Sequence, residues 1–241
     1  MPSCPVKDRP AVGTRPALRI SRDGFSGSLT PARARELRAE FDRSDVMGLP
    51  GFLEPELLRV VQAELAAAKF SPHEPNDFDR RLRPKKRGLD AMLTFLFNSP
   101  ELFRALEAVT GFPMVGEIYG RVYRMMAKKH YLGWHGDNVP GRLCELVVNL
   151  SARPLSGGFP QIRKKPDGPI STYRYGAPGD ALIFRISPNL VHRSTPVTGA
   201  MPKDIFAAFV QDRQTAGTGD DFLCRQLKPT RGGPSKRTRR A

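Results

Sequence analysis

The apolar positions of the chain change rhythm near Val115. Before that point they recur at helical spacing. From Glu54 to Lys69, Leu57, Leu58, Val61, Leu65 and Ala68 fall three or four residues apart and line one face of a helix. Thr30-Pro31 reads as an N-cap followed by proline at the first helical position, which predicts a helix to about Asp42. Asp45 to Gly51 reads as a short strand-like entry. Two more helices are expected at Leu89 to Phe97 and at Ser99 to Val109, the latter capped by Ser99 and ended by Gly111. After Val115 the runs shorten and become β-rich, punctuated by Gly, Pro and Asn. They lie near 116–124, 129–135, 142–150, 158–164, 171–175, 180–186, 190–196 and 204–211. Eight such runs predict antiparallel strands wound as a double-stranded β-helix, or jelly roll. The fold class is therefore α+β: a jelly-roll core with N-terminal helices packed on one sheet.

This divides the chain into four parts. Residues 1–28 are Pro-, Gly-, Ser- and Arg-rich and are expected to be unstructured. Residues 29–114 form the helical part, 115–212 the jelly-roll core, and 213–241 a basic tail expected to be disordered. The 241 residues fit one domain with a full core. No long apolar span or secretory signal is visible, and the three cysteines make an odd count with no metal-site spacing. These features point to a cytoplasmic protein with unpaired thiols and no membrane partner.

The formal charge of +15 changes that picture only at its edges. Residues 228–241 hold six basic residues and no acids, and residues 80–87 hold six more. Residues 1–24 contribute five basic against two acidic, and the remainder carries 22 of each sign. The body is neutral, and no nucleic-acid recognition module accompanies the basic ends. Nucleic acid is thus not expected as the substrate. The basic stretch 80–87 reads as a loop before the barrel, where it would serve as a cationic lid.

The candidate chemistry lies in the β-rich half. His135-Gly136-Asp137 places an imidazole and a carboxylate two positions apart, so on a strand both point to one side, with Gly136 leaving room between them. His192 follows 57 residues after His135, inside Asn189 to Val197. Two histidines and one carboxylate are the ligands of a facial triad. That set holds Fe(II) on one face and leaves three positions open for a chelating co-substrate and O2.

The surrounding motifs extend this reading. After His135-x-Asp137 come the aliphatic run Arg142 to Leu150, the Gly157-Gly158 turn and the Ala177-Pro-Gly-Asp180 turn. His192 is followed by Pro196-Val197, and Lys203 stands eleven residues past His192. This order resembles the Fe(II)/2-oxoglutarate-dependent oxygenases of the prolyl-4-hydroxylase-like group, over about Val46 to Val210. The resemblance implies that His135, Asp137 and His192 hold Fe(II), and that Lys203 pairs with the distal carboxylate of 2-oxoglutarate. Lys stands where Arg is commoner and offers no bidentate fork. Tyr123 and Arg142 match further co-substrate positions. The stretch from Tyr123 to His135 is longer than the family pattern, so Tyr131 and Arg193 stand as alternatives. Trp134, one residue before a ligand, should face away from the metal.

The resemblance implies a dioxygenase that uses Fe(II), 2-oxoglutarate and O2, with ascorbate as an optional reductant, to hydroxylate an unactivated C–H bond. Asp137 favours hydroxylation, since related halogenases carry Gly or Ala at that position. The expected substrate is a small molecule such as a free or carrier-bound amino acid. A peptidyl, prolyl-type hydroxylase is the alternative. A lapsed jelly-roll scaffold or basic nucleic-acid-associated protein is the non-enzymatic one.

Overall fold

The computed structural model describes residues 16–164, 167–174 and 176–216. The expectations for residues 1–15 and 217–241, which include most of the N-terminal segment and the basic tail, lie outside the described residues. In chain order the elements are β1 (Ile20–Ser21), β2 (Gly24–Phe25), α1 (Pro31–Ser44), β3 (Val46–Leu49), α2 (Pro55–Ala67), β4 (Phe70–Asn76), β5 (Asp79–Pro84), α3 (Gly88–Phe97), α4 (Pro100–Thr110), β6 (Val115–Met125), β7 (Tyr131–Leu132), β8 (Arg142–Asn149), β9 (Pro160–Lys164), β10 (Ser171–Thr172), β11 (Ala181–Arg185), β12 (Leu190–Ser194) and β13 (Lys203–Asp212). None of the described helices is long and apolar enough to cross a membrane.

The helix boundaries follow local chemistry. Thr30 accepts from the backbone N–H of Arg33 through Oγ1, and Ser99 does the same for Leu102, each satisfying an N–H that the first turn leaves unpaired. Proline follows both caps at the first helical position. α4 ends at Gly111 with φ 69°, the left-handed conformation glycine adopts without strain.

The larger sheet runs β3-β11-β8-β13-β6-β5-β4, with β7 pairing onto β5, and the smaller runs β10-β9-β12. The pairings between these strands are antiparallel. Alternation divides the large sheet into two faces. Ile118 and Val122 of β6, Leu146 and Val148 of β8, and Phe206, Ala208 and Val210 of β13 pack outward in the same core as Leu37, Phe41, Val61, Leu65, Phe97 and Leu106 of the helices. Their neighbours Tyr123, Val147, Leu182, Phe184 and Ile205 form a second cluster on the opposite face, joined there by Ile162 of the small sheet. The helices therefore stiffen one side of the sheet and leave the other free to line a cavity.

Three expectations need correction. Within the N-terminal segment expected to be unstructured, Ile20–Ser21 and Gly24–Phe25 pair as β1 and β2, and Leu18 and Ile20 are buried in the core. The basic stretch 80–87 is mostly strand and not a loop. Residues 79–84 form β5, paired with β4 in a hairpin that extends the large sheet beside β6. Its inward positions are charged: Asp79 and Arg81 are both buried, and their ion pair replaces the apolar side chains that would mark a buried strand. The run near 129–135 is also shorter than expected, because residues 126–130 form a turn, with Lys128 at φ 62°, and pairing begins only at Tyr131.

Phe206 joins the sheet to the helices. It is fully buried and meets Phe97 edge-on at 5.3 Å, and Phe97 meets Phe52 at 5.5 Å. Phe206→Ala should cost about 3–5 kcal/mol of folding free energy, read as a lower denaturation midpoint at unchanged slope. A loss below about 1 kcal/mol would show that the aromatic column is not a structural centre of the fold.

Candidate active site

His135 and His192 face each other across the mouth of the barrel. Each donates its backbone N–H to the other's carbonyl, at 3.0 and 2.9 Å, an isolated antiparallel bridge between the end of the β7 segment and β12. Residues paired this way project their side chains to the same face, and here the two imidazole centroids lie 4.1 Å apart. Asp137, two residues after His135, brings Oδ2 to 3.6 Å from His135 Nε2 and 3.3 Å from His192 Nε2. One ligand atom from each of the three lies within 4.8 Å of the others. Atoms bound to one first-row ion at about 2.0–2.2 Å and at right angles are about 3 Å apart. The observed spacing fits that arrangement.

The hydrogen bonding around the triad selects the state a metal needs. His135 Nδ1 lies 2.8 Å from the carbonyl of Gly133, which only accepts, so Nδ1 carries the proton and Nε2 presents its lone pair to the site. Phe78 stacks on His135 at 5.3 Å, and Phe184 lies 4.8 Å from His192. Burial pushes His192 down to about 4 and lowers His135 as well, with His192 as its second cause. Both imidazoles are thus held neutral. Asp137 is raised by burial and by the neighbouring Glu145.

Glu145 is the residue the sequence did not disclose. It stands in the middle of β8 and is buried, with Oε2 3.3 Å from His192 Nε2 and no hydrogen-bond partner. Burial raises its carboxyl, against the pull of His135, Arg81, Arg142 and Lys203. The two imidazoles and the Asp137 carboxylate are a donor set that suits a divalent cation, and the unpartnered oxygen of Glu145 lies beside it. Arg81 is the second missed residue. It pairs with Asp79 through two bonds of 2.6 Å and lies 3.6 Å over the ring of Tyr123. A cleft beside the triad is lined by Arg81, Tyr123, Arg121, Tyr119, Arg142 and Phe209, together with His135, Asp137 and Glu145.

The other expected residues separate into two groups. Lys203 and Tyr123 lie on the barrel side of adjacent strands, Lys203 opposite Met125 and Ile205 opposite Tyr123. Lys203 is almost fully buried, and its ammonium donates to the Gly158 carbonyl and to Ser194 Oγ at 2.9 Å. Burial, helped by Arg81, brings it down to about 7, against Glu145. Gly158 explains the Gly-Gly turn. Its φ is 72°, and a Cβ there would stand 2.6 Å from Lys203 Cδ.

Arg142 lines the cleft near Phe209, whose backbone is six residues from Lys203 along β13, about 20 Å away, and Lys203 does not line that cleft. It does not share a ligand group with Lys203. Arg193 turns away from His192, as alternation requires. Its Nε donates to Gln161 and its guanidinium lies over Trp134 at 4.7 Å, with Arg163 at 4.5 Å from the same ring. Tyr131 is exposed and donates to the Asp77 carbonyl. Neither Arg193 nor Tyr131 enters the site, and Trp134 faces outward as expected.

No protein-family model matches the sequence, and no curated protein matches it significantly. Solved structures do match the fold. A 2OG-Fe(II) oxygenase family oxidoreductase from Burkholderia pseudomallei is 18% identical, with a TM-score of 0.57 over 74% of this chain and 90% of its own. A prolyl hydroxylase from Trichoplax adhaerens, solved with a hypoxia inducible factor peptide fragment, is 13% identical at 0.57 over 78% and 94%. The non-heme alpha ketoglutarate dependent epimerase SnoN of nogalamycin biosynthesis is 18% identical at 0.55 over 86% and 94%. The chain has the fold of the Fe(II)- and 2-oxoglutarate-dependent oxygenases, prolyl-hydroxylase-like members included, and carries a His–Asp–His triad within it.

Asp137→Ala and His192→Ala should each abolish stoichiometric Mn(II) binding in anaerobic calorimetry, while Arg193→Ala, on the outer face, leaves it intact. Equal binding by all four proteins would remove the triad from consideration as a metal site.

Proposed function

We propose that the protein is an Fe(II)- and 2-oxoglutarate-dependent dioxygenase that hydroxylates an unactivated C–H bond of a small molecule such as a free or carrier-bound amino acid. The observation that carries this reading is the convergence of His135, Asp137 and His192, with one ligand atom of each within 4.8 Å of the others. Fe(II) with 2-oxoglutarate and O2 supplies the oxidising power, with release of succinate and CO2. The protein contributes the ligand geometry, a cavity that limits water, and the aim of the target carbon.

Within this reading His135, Asp137 and His192 hold the metal. Lys203 grips the distal carboxylate of 2-oxoglutarate, and Tyr123, on the same face of the neighbouring strand, flanks it. Ser194 and the Gly158 carbonyl keep the Lys203 ammonium in position until the carboxylate arrives. Peptidyl hydroxylation is the second reading, supported by the similarity to a prolyl hydroxylase solved with a peptide.

The direct test is a substrate-library screen with added Fe(II), 2-oxoglutarate and ascorbate, reading succinate formed only when a library member is present. Coupled succinate that disappears in Asp137→Ala supports the proposal. Succinate formation in Asp137→Ala equal to wild type would contradict it.

Three further outcomes follow from Lys203. Lys203→Ala should raise the KM for 2-oxoglutarate roughly ten- to hundredfold, the loss of a charged hydrogen bond of about 1.5–3 kcal/mol, with little change for the prime substrate. Gly158→Ala, which crowds Lys203, should raise the same KM with Mn(II) binding preserved. The ammonium is the form that pairs with a carboxylate, and Lys203 is held at about 7. The KM for 2-oxoglutarate should therefore rise as pH climbs above that value, and Lys203→Arg should flatten the rise. A KM independent of pH in the wild type would show that another group holds the co-substrate.

A further inference from the structure

The charge lining the cleft beside the triad is uneven. Three guanidiniums line it: Arg81, Arg121 and Arg142. Asp79 already neutralises Arg81 through two short bonds. The carboxylates lining the cleft are Asp137, a triad member, and Glu145, which sits beside His192. Both carboxylates act on Arg142 at long range, and neither makes a hydrogen bond to it. Its closest carboxylate contact is Nη1 to Asp137 Oδ1 at 3.9 Å, beyond hydrogen-bond distance, and in the functional reading Asp137 is committed to a cation.

Arg142 is also held in one orientation. Its Nε donates to the Tyr119 hydroxyl at 2.8 Å, and its guanidinium plane rests 3.8 Å over the ring of Phe209. The side chain is only 16% exposed. With Nε engaged and one face covered, the terminal nitrogens remain as the donors offered to the cleft. A buried guanidinium fixed by packing and by a hydrogen bond has already lost its rotamer freedom, so little ordering remains to oppose binding. Its planar fork matches a carboxylate through two parallel hydrogen bonds. Arg121, from the same strand as Tyr119 and on the same face, adds a second positive charge to the cleft wall.

We propose that Arg142, braced by Tyr119 and Phe209, is the carboxylate-binding residue of the prime-substrate site, so that the substrate enters as a free acid and not as a carrier-bound or peptide-embedded unit. This rests on the oxygenase reading and narrows it. A thioester or an internal peptide residue has no carboxylate at this position, and would leave the buried guanidinium unpaired, which weakens its binding relative to the acid.

The test is a thermal-shift panel on the full chain loaded anaerobically with Mn(II) and saturating 2-oxoglutarate, so that the co-substrate site is filled. The probes are the standard L-amino acids with their 2-hydroxy and N-acetyl counterparts, the methyl ester of each, and inorganic phosphate. At least one free acid should raise the melting temperature while its ester does not. Arg142→Met should lose that shift, and Arg142→Lys should keep a weaker one. Acid and ester acting alike, no acid acting, or phosphate acting as strongly as the acid would each overturn the proposal. The acid–ester contrast is read on the wild type, so it holds even where a variant folds poorly. Failure of the oxygenase reading has a separate signature, the absence of succinate with any probe in air with Fe(II), whatever Arg142 binds.

Discussion

The active site depends on one backbone pair. The two hydrogen bonds between His135 and His192 join the segment after β7 to β12 of the small sheet, and they fix both imidazoles on the cavity side. Everything else at the site is set by distance along the chain from that pair. Asp137 is two residues from one histidine, Ser194 is two residues from the other, and Ser194 in turn holds Lys203. A shift of one residue in this pairing would turn one of the two histidines outward and bring Trp134 or Arg193 in beside the other. The outward pair is locked by its own contacts, since the Arg193 and Arg163 guanidiniums both lie over the Trp134 ring. The register is therefore defended on both faces.

The second constraint is charge kept from water. Glu145, Arg81, Asp79 and Lys203 are all buried within the barrel, and such groups persist only when paired or when a ligand completes them. Arg81 and Asp79 complete each other. Lys203 donates to Gly158 and Ser194, while burial and then Arg81 lower its proton affinity. Glu145 has one oxygen without a partner. The large sheet tolerates this interior because its other face carries the hydrophobic load, with the column from Phe206 through Phe97 to Phe52 anchoring the helices. Stability is concentrated on one side of the sheet and chemistry on the other.

Much of this was legible because the informative residues obey local rules. Thr30-Pro31 and Ser99-Pro100 announced helix starts, and the apolar run within 204–211 announced a strand. The triad could be read from residue type and spacing, since a metal site admits few alternatives, whereas Lys203 was singled out only by the resemblance to a known family. The hairpin β4–β5 was not legible, because its inward positions are Asp79 and Arg81, and a strand that buries an ion pair reads as a solvated basic loop. Glu145 was hidden for the converse reason: one carboxylate inside the aliphatic run Leu143 to Val148 looks like a surface position on an amphipathic strand. Arg193 adjoins a ligand in sequence but points away from it, which only the observed pairing of β12 with β9 makes plain.

The central claim is that His135, Asp137 and His192 together hold one metal that also accepts 2-oxoglutarate. A bidentate 2-oxo acid on Fe(II) produces a visible metal-to-ligand charge-transfer absorption that neither component shows alone, and this reports the assembled site without requiring a substrate. Anaerobic addition of Fe(II) and 2-oxoglutarate to the wild-type protein should give that band at one equivalent of iron, and His192→Ala should not show it. Iron bound tightly by the wild type with no such band on adding 2-oxoglutarate would contradict the account.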